Sequence, residues 1–217
     1  MIDRRTTLAS FVALTLDPAP AVSRTASTKP ITVRPSRVED VPAMVEMIER
    51  RRLRYQTYQP VFWRKAANSG PSSTTWFSQM ISAGVVAFSA VENGTIVGFV
   101  FANETREPPI VDPGGKTVTL DDYCVADETR WHDVGRALLD AVKSVAPAHG
   151  WRQVVVISAE RDIPKSEFLK ANGLSIASTW WTTPLYERCA CELPLSLRRC
   201  SRPSRAEPSL CRAKPPR

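Results

Sequence analysis

The sequence predicts an α+β domain of three layers: a mixed, mostly antiparallel central sheet with helices on both faces. Three observations predict it. Two strand-like runs, "GVVAFSAVE" and "TIVGFVFANE", are joined at Asn93-Gly94, the pair of residues that best suits a two-residue hairpin turn. Val134, Ala137, Leu138, Ala141, Val142 and Val145 follow the spacing of one helix face. "RQVVVISA" (Arg152 to Ala159) then returns as a second strand, so one β-α-β crossover lies inside an otherwise antiparallel set.

The elements follow in order. "ITVRPS" alternates and stops at Pro35, as a strand end does. Val41, Met44, Val45 and Ile48 make an amphipathic helix, with Pro42 tolerated in its first turn and arginines 50 to 54 at its negative end. An irregular stretch with "YQTYQPVFW" is expected next, then a helix over Ser72 to Ser82. After the hairpin, "KTVTLDDYCV" reads as a third strand and the Val134 face as a helix that Pro147 should stop or bend. Arg152 to Ala159 has the continuous apolar run of a strand buried on both faces. "PKSEFLKANG" gives a short helix, and "LSIASTWWTTPL" a closing strand with one of Trp180 and Trp181 inward.

Charge narrows the function classes. The net charge is +7, yet residues 31 to 186 hold 17 basic and 17 acidic side chains, so the excess belongs to the two ends. A neutral body gives little support for a dedicated nucleic-acid surface. No apolar run approaches the ~20 residues of a membrane-spanning helix. Residues 1 to 30 read as a disordered leader: Ala19-Pro20-Ala21 imitates a signal cleavage site, but Ser10, Thr15 and Asp17 interrupt the apolar run before it. Residues 187 to 217, rich in Arg, Pro and Ser, read as a disordered basic tail. Cys189, Cys191, Cys200 and Cys211 are not spaced as zinc ligands, so no metal is expected, and free thiols point to a reduced, cytoplasmic setting.

The chemistry concentrates where "DETRWHDVGRALLDAVKSV" turns from charged loop to helix. A strand, a turn and a bare helix N-terminus leave unpaired N–H groups and the positive end of the dipole facing one point, which suits an anionic group. That order of elements, with "RWHDVGRALL" at the turn and "EFLKANGL" near the end, resembles the GCN5-related N-acetyltransferase (GNAT) superfamily over Ile31 to Leu185. Arg130, Asp133 and Gly135 stand at the places of its R/Q-x-x-G-x-G/A signature.

The resemblance implies acetyl-CoA as cosubstrate and a primary amine, on a small molecule or a protein, as acceptor. Its diphosphate would lie on the loop and first turn, Arg130, Trp131, His132, Asp133, Val134, Gly135, Arg136 and Ala137. The pantetheine arm would run beside Tyr123, Cys124, Val125 and Ala126, with Asp162 at the position of an asparagine that binds it. The acceptor amine would attack the thioester directly, with Asp121 or Asp122 as base. Strand alternation pairs Asp121 with Tyr123 and Val125, the more apolar side, unless a bulge exchanges the two aspartates.

Two departures stand out. Asp133 replaces a glycine, and a carboxylate about 4 Å from a phosphate costs about 4 kcal/mol at an effective dielectric of ~20 unless it turns away. Leu169 replaces a tyrosine that often protonates the leaving thiolate, leaving Tyr123, Cys124, His132 or water as substitutes. The aromatic group Tyr55, Tyr58, Phe62 and Trp63 is either an acceptor wall or a lid packed on the core. A non-catalytic CoA-binding module is the alternative reading, and an accessory protein meeting RNA or an acidic partner through its tail is a third. A homodimer sharing the last strand is a further expectation from such folds.

Overall fold

The computed structural model describes residues 30–105 and 110–185. The proposed leader, the basic tail and its four cysteines fall outside them. The sheet order is β1 (Thr32–Pro35), β2 (Val86–Glu92), β3 (Thr95–Thr105), β4 (Lys116–Leu120) and β6 (Trp151–Val156), with β5 (Tyr123–Val125) also on β3. All pairings are antiparallel except β4 with β6. Asn93 and Gly94 take φ of 53° and 78°, the left-handed pair that a tight hairpin needs.

Helices cover both faces. Phe99 and Phe101 of β3 point to α1 (Val41–Tyr58) and α2 (Ser69–Ser82), packing with Met44, Ile48 and Phe77. Their neighbours Val100 and Ala102 point the other way, to Leu138, Leu139 and Val142 of α3 (Arg136–His149) and Phe168 of α4 (Ile163–Ala171). The period of two along one strand thus separates the two cores. No helix among the described residues is long and apolar enough to cross a membrane.

The predicted third strand is broken. Between the pairs Asn103↔Thr119 and Val100↔Tyr123 the β3 side advances three residues and the opposite side four. The extra residue is a bulge at Asp121-Asp122, and it reverses which side chains face which core. Leu120 and Tyr123 share the α3 side, while Cys124 joins the α1 side.

Four other expectations are corrected. α1 runs on through Tyr58, because Met44, Ile48, Arg51 and Tyr55 keep to one face and the arginine disguised it. Pro147 lies inside α3 near its end, where it forfeits a single N–H; the helix stops at Gly150, whose φ of 72° closes it. Residues 174–184 form no strand, and Trp180 and Trp181 are both exposed, 81% and 92%. Without that neighbour β6 is an edge strand among the described residues, with Arg152, Gln153 and Val155 exposed rather than buried on both faces.

Candidate active site

The bulge also opens the sheet. β4 and β6 stay bonded up to the Ile157 N–H, which donates to Leu120 O at 3.2 Å. β5 then keeps to β3: Phe101 N–H donates to Asp122 O at 3.0 Å and Ala126 N–H to Val97 O at 2.9 Å. By alternation, the main-chain groups of Tyr123 and Val125 face away from β3, into the gap that β6 has left. A cavity of about 520 Å³ lies at this gap, walled by Arg50, Arg51 and Arg54 of α1, by Cys124 to Glu128, and by Trp131.

Two cations meet at one gap-facing carbonyl. Arg51 donates to Tyr123 O at 2.9 Å and to Asp121 O at 3.3 Å, and lies 3.5 Å from the Asp122 carboxylate. Lys165, fully buried at the start of α4, donates to the same Tyr123 O at 3.3 Å and to Ile157 O at 2.9 Å. Its Nζ lies 5.4 Å from the ring centres of Tyr123 and Trp131. Burial first, and the Arg51 charge after it, bring the Lys165 ammonium down to about 7. Buried Asp162 caps α4 and accepts from the Tyr55 hydroxyl at 2.6 Å, with Arg54 3.7 Å away.

The turn after β5 is helical earlier than expected. A short 3-10 turn (Glu128–Arg130) leads into a π turn (Trp131–Gly135) and then α3. Arg130 grips Glu92 with two bonds, 2.8 and 3.1 Å, and Asp133 at 2.7 Å. Asp133 in turn accepts from Val134 N–H at 2.7 Å. Its carboxyl is held low: burial opposes ionisation, but Arg130 and the Val134 N–H outweigh it. Gly135 has an ordinary helical conformation; it is needed for space, since a Cβ there would meet the Trp131 ring at 2.6 Å.

The acetyltransferase (GNAT) family model matches residues 51–170, from mid-α1 to the end of α4. The chain belongs to the GNAT family. Solved structures of similar fold include a predicted acetyltransferase with acetyl-CoA from Clostridium acetobutylicum, at 15% identity over 71% of this chain and 96% of that one, TM-score 0.55. An aminoglycoside N-acetyltransferase in complex with CoA is 15% identical over 76% and 99%, TM-score 0.54. Glucosamine-6-phosphate N-acetyltransferase from Arabidopsis thaliana is 13% identical over 73% and 100%, TM-score 0.52. No curated protein matches the chain significantly.

Against the GNAT expectations, Val125, Ala126, Cys124 and Trp131 do border one cavity. Arg130 instead faces Glu92 and Asp133, and Arg136 pairs with Asp140 at 3.3 Å. Val134 and Gly135 are buried, Ala137 is half-buried, and His132 is exposed. Tyr123 is fully buried and its hydroxyl donates to Gly135 O, which turns it into the core and away from the gap. The bulge reverses the two aspartates: Asp121 is exposed, and Asp122 is the one drawn in beside Arg51. Burial raises the Asp122 carboxyl even against that arginine. Tyr55, Tyr58, Phe62 and Trp63 pack ring on ring at 4.7 to 5.7 Å, and Phe62 also meets Trp180 at 5.9 Å.

Arg51 and Lys165 were not among the expected site residues. The signal for Lys165 was its spacing: it precedes Phe168 and Leu169 by three and four residues, on the buried face of α4.

Proposed function

We propose that this GNAT protein transfers an acetyl group from acetyl-CoA to a primary amine, by direct attack of the amine on the thioester. The observation that carries the reading is the edge of β5 at Val125, which β6 does not pair, the outward groups of Tyr123 being taken by Asp121 O, Arg51 and Lys165. It presents the Val125 N–H to the gap beside the cavity, where an amide-bearing pantetheine arm can bond as a short extra strand. The same N–H can polarise a thioester oxygen as charge develops on it. The amides from Trp131 onward would take the diphosphate. Of the two candidate bases we favour Asp122, half-buried beside Arg51, with its carboxyl raised toward the range a base needs. The acceptor is a small molecule or a protein amine. A cytoplasmic setting accords with the free buried thiol of Cys124.

A second reading has its own support. Asp133 already occupies the Val134 N–H, and Leu169 offers no hydroxyl, so a module that binds CoA without turnover remains the rival. Calorimetry with coenzyme A and thiol release from acetyl-CoA with an amine panel separate the two. Binding with turnover supports the transferase; binding without it supports the module; no heat with CoA removes both. Removing residues 187–217 should leave binding and turnover intact if residues 31–186 form the working domain.

A further inference from the structure

Transfer from a thioester needs a proton for the departing sulfur, and most hydroxyl and nitrogen donors near the gap are committed elsewhere. The Tyr123 hydroxyl is spent on Gly135 O and the Tyr55 hydroxyl on Asp162. His132 is exposed, with its ring edge-on to Phe168 and absent from the cavity wall, and Leu169 has no proton to give. Arg51 reaches the gap, but a guanidinium does not release its proton in a protein. Cys124 borders the cavity, but burial pushes its thiol up, so it yields a proton less readily than an ordinary thiol.

Lys165 is different in kind. Its side chain leaves the first turn of α4 and ends between the two strands that part, bonded to Tyr123 O on one wall and Ile157 O on the other. An ammonium with two acceptors has a third N–H to offer. A fully buried lysine whose ammonium bonds no carboxylate is costly as a purely structural element, and most folds avoid one.

We propose that Lys165 is the catalytic acid of this protein, giving its proton to the thiolate of coenzyme A as the acyl–sulfur bond breaks. The inference rests on the transferase reading and adds the group that completes it. The acceptor nitrogen forms its bond to the acyl carbon, the carbon–sulfur bond breaks, and its electron pair goes to sulfur. One Lys165 proton follows that pair, giving coenzyme A thiol and a neutral amine. The proton shed by the acceptor nitrogen passes to Asp122 and from there, through water, restores the ammonium, so no other reactant is consumed. An ammonium brought down to about 7 releases a proton readily at neutral pH, which an ordinary lysine does not.

The charged and titratable groups around Lys165 include Arg51 from α1, Asp121, Asp122, Tyr123 and Cys124 from the bulged strand, and Asp162 from its own helix cap. Arg51 favours the neutral amine, while Asp162 and Asp121 favour the ammonium.

The test reads the pH profile of thiol release from acetyl-CoA by the full chain, with whichever panel amine turns over. An acid brought down to about 7 must still hold its proton to act, so we expect kcat to fall about tenfold per pH unit above that point. Lys165→Met should lower kcat about 100-fold and lose that alkaline limb while calorimetry shows coenzyme A still bound. Lys165→Arg keeps the cation but cannot release its proton, so it should bind coenzyme A and stay equally slow. An unchanged kcat or alkaline limb in Lys165→Met, or a Lys165→Arg as fast as the wild type, overturns the role of Lys165. Failure of the wild-type chain to bind coenzyme A or to turn over is a different result, and removes the transferase reading together with this inference.

Discussion

The Asp133 carboxylate accepts the Val134 N–H at 2.7 Å, so this helix start is already occupied by a negative charge of its own. Arg130 holds it there from the other side at 2.7 Å. Any incoming diphosphate must displace or endure that carboxylate. Asp133→Gly should therefore tighten coenzyme A binding about tenfold, less than the bare Coulomb figure because the side chain is half exposed. Calorimetry at fixed salt checks it; equal affinities would show that the side chain swings clear.

Gly135→Ala sets two effects against each other. Helix propensity favours alanine by up to about 1 kcal/mol. The new Cβ would lie 2.6 Å from the Trp131 ring, which is itself wedged against Tyr123 and Phe168, and such overpacking costs about 1–3 kcal/mol. The net change should be destabilising, read as a lower urea midpoint with an altered Trp131 emission.

Tyr55→Phe removes the hydroxyl that donates to Asp162 at 2.6 Å, 107 residues away in sequence. Asp162 is fully buried and would keep the α4 cap bond and the more distant Arg54. The loss should be about 2 kcal/mol, since a buried carboxylate left short of a partner bears most of its desolvation cost. Equilibrium unfolding of the variant measures it.

If Asp122 is the base, Asp122→Asn should lower kcat about 100-fold and Asp121→Asn less than about threefold. The raised Asp122 carboxyl means the wild-type rate climbs as pH rises through it, and that acid limb should vanish in Asp122→Asn alone. Initial rates against pH, with whichever panel amine turns over, decide between the two positions.

Asp40, just before α1, governs acid stability. It accepts two bonds of 2.7 Å from Arg34, and one each of 2.9 Å from Arg37 N–H and Ser89. Burial works against its ionisation, but these donors hold its pKa below the ordinary value. The stabilisation is therefore complete above the unfolded value of about 3.9 and is lost as pH falls through the folded one. Asp40→Asn should cost about 2 kcal/mol at neutral pH and flatten the acid side of the stability curve.

Where the signal was local, the sequence could be read. Asn93-Gly94 needs no distant partner to make a turn, and the Val134–Val145 spacing marks a helix face by itself. The features that make the site were not local. Whether Asp121 or Asp122 turns inward depends on a bulge fixed by pairing with β3. The spacing of Lys165 before Phe168 and Leu169 puts it on the buried face of α4, but only the fold brings Tyr123 O and Ile157 O, from two distant segments, around its ammonium. Gly135 reads as a phosphate-loop glycine, yet what constrains it is a ring four residues earlier. The closing strand failed for a related reason: apolar and β-branched residues permit a strand, but a neighbour must accept its bonds.

One additional residue at Asp121-Asp122 sets the parity of everything that follows it in the strand. Shorten the chain there by a single position and Tyr123 would exchange layers with Cys124, taking a phenol to the α1 side and leaving Trp131 without its edge-on neighbour. The length of this strand is thus as much a part of the chemistry as any side chain on it, and the fold should tolerate point substitutions there far better than deletions.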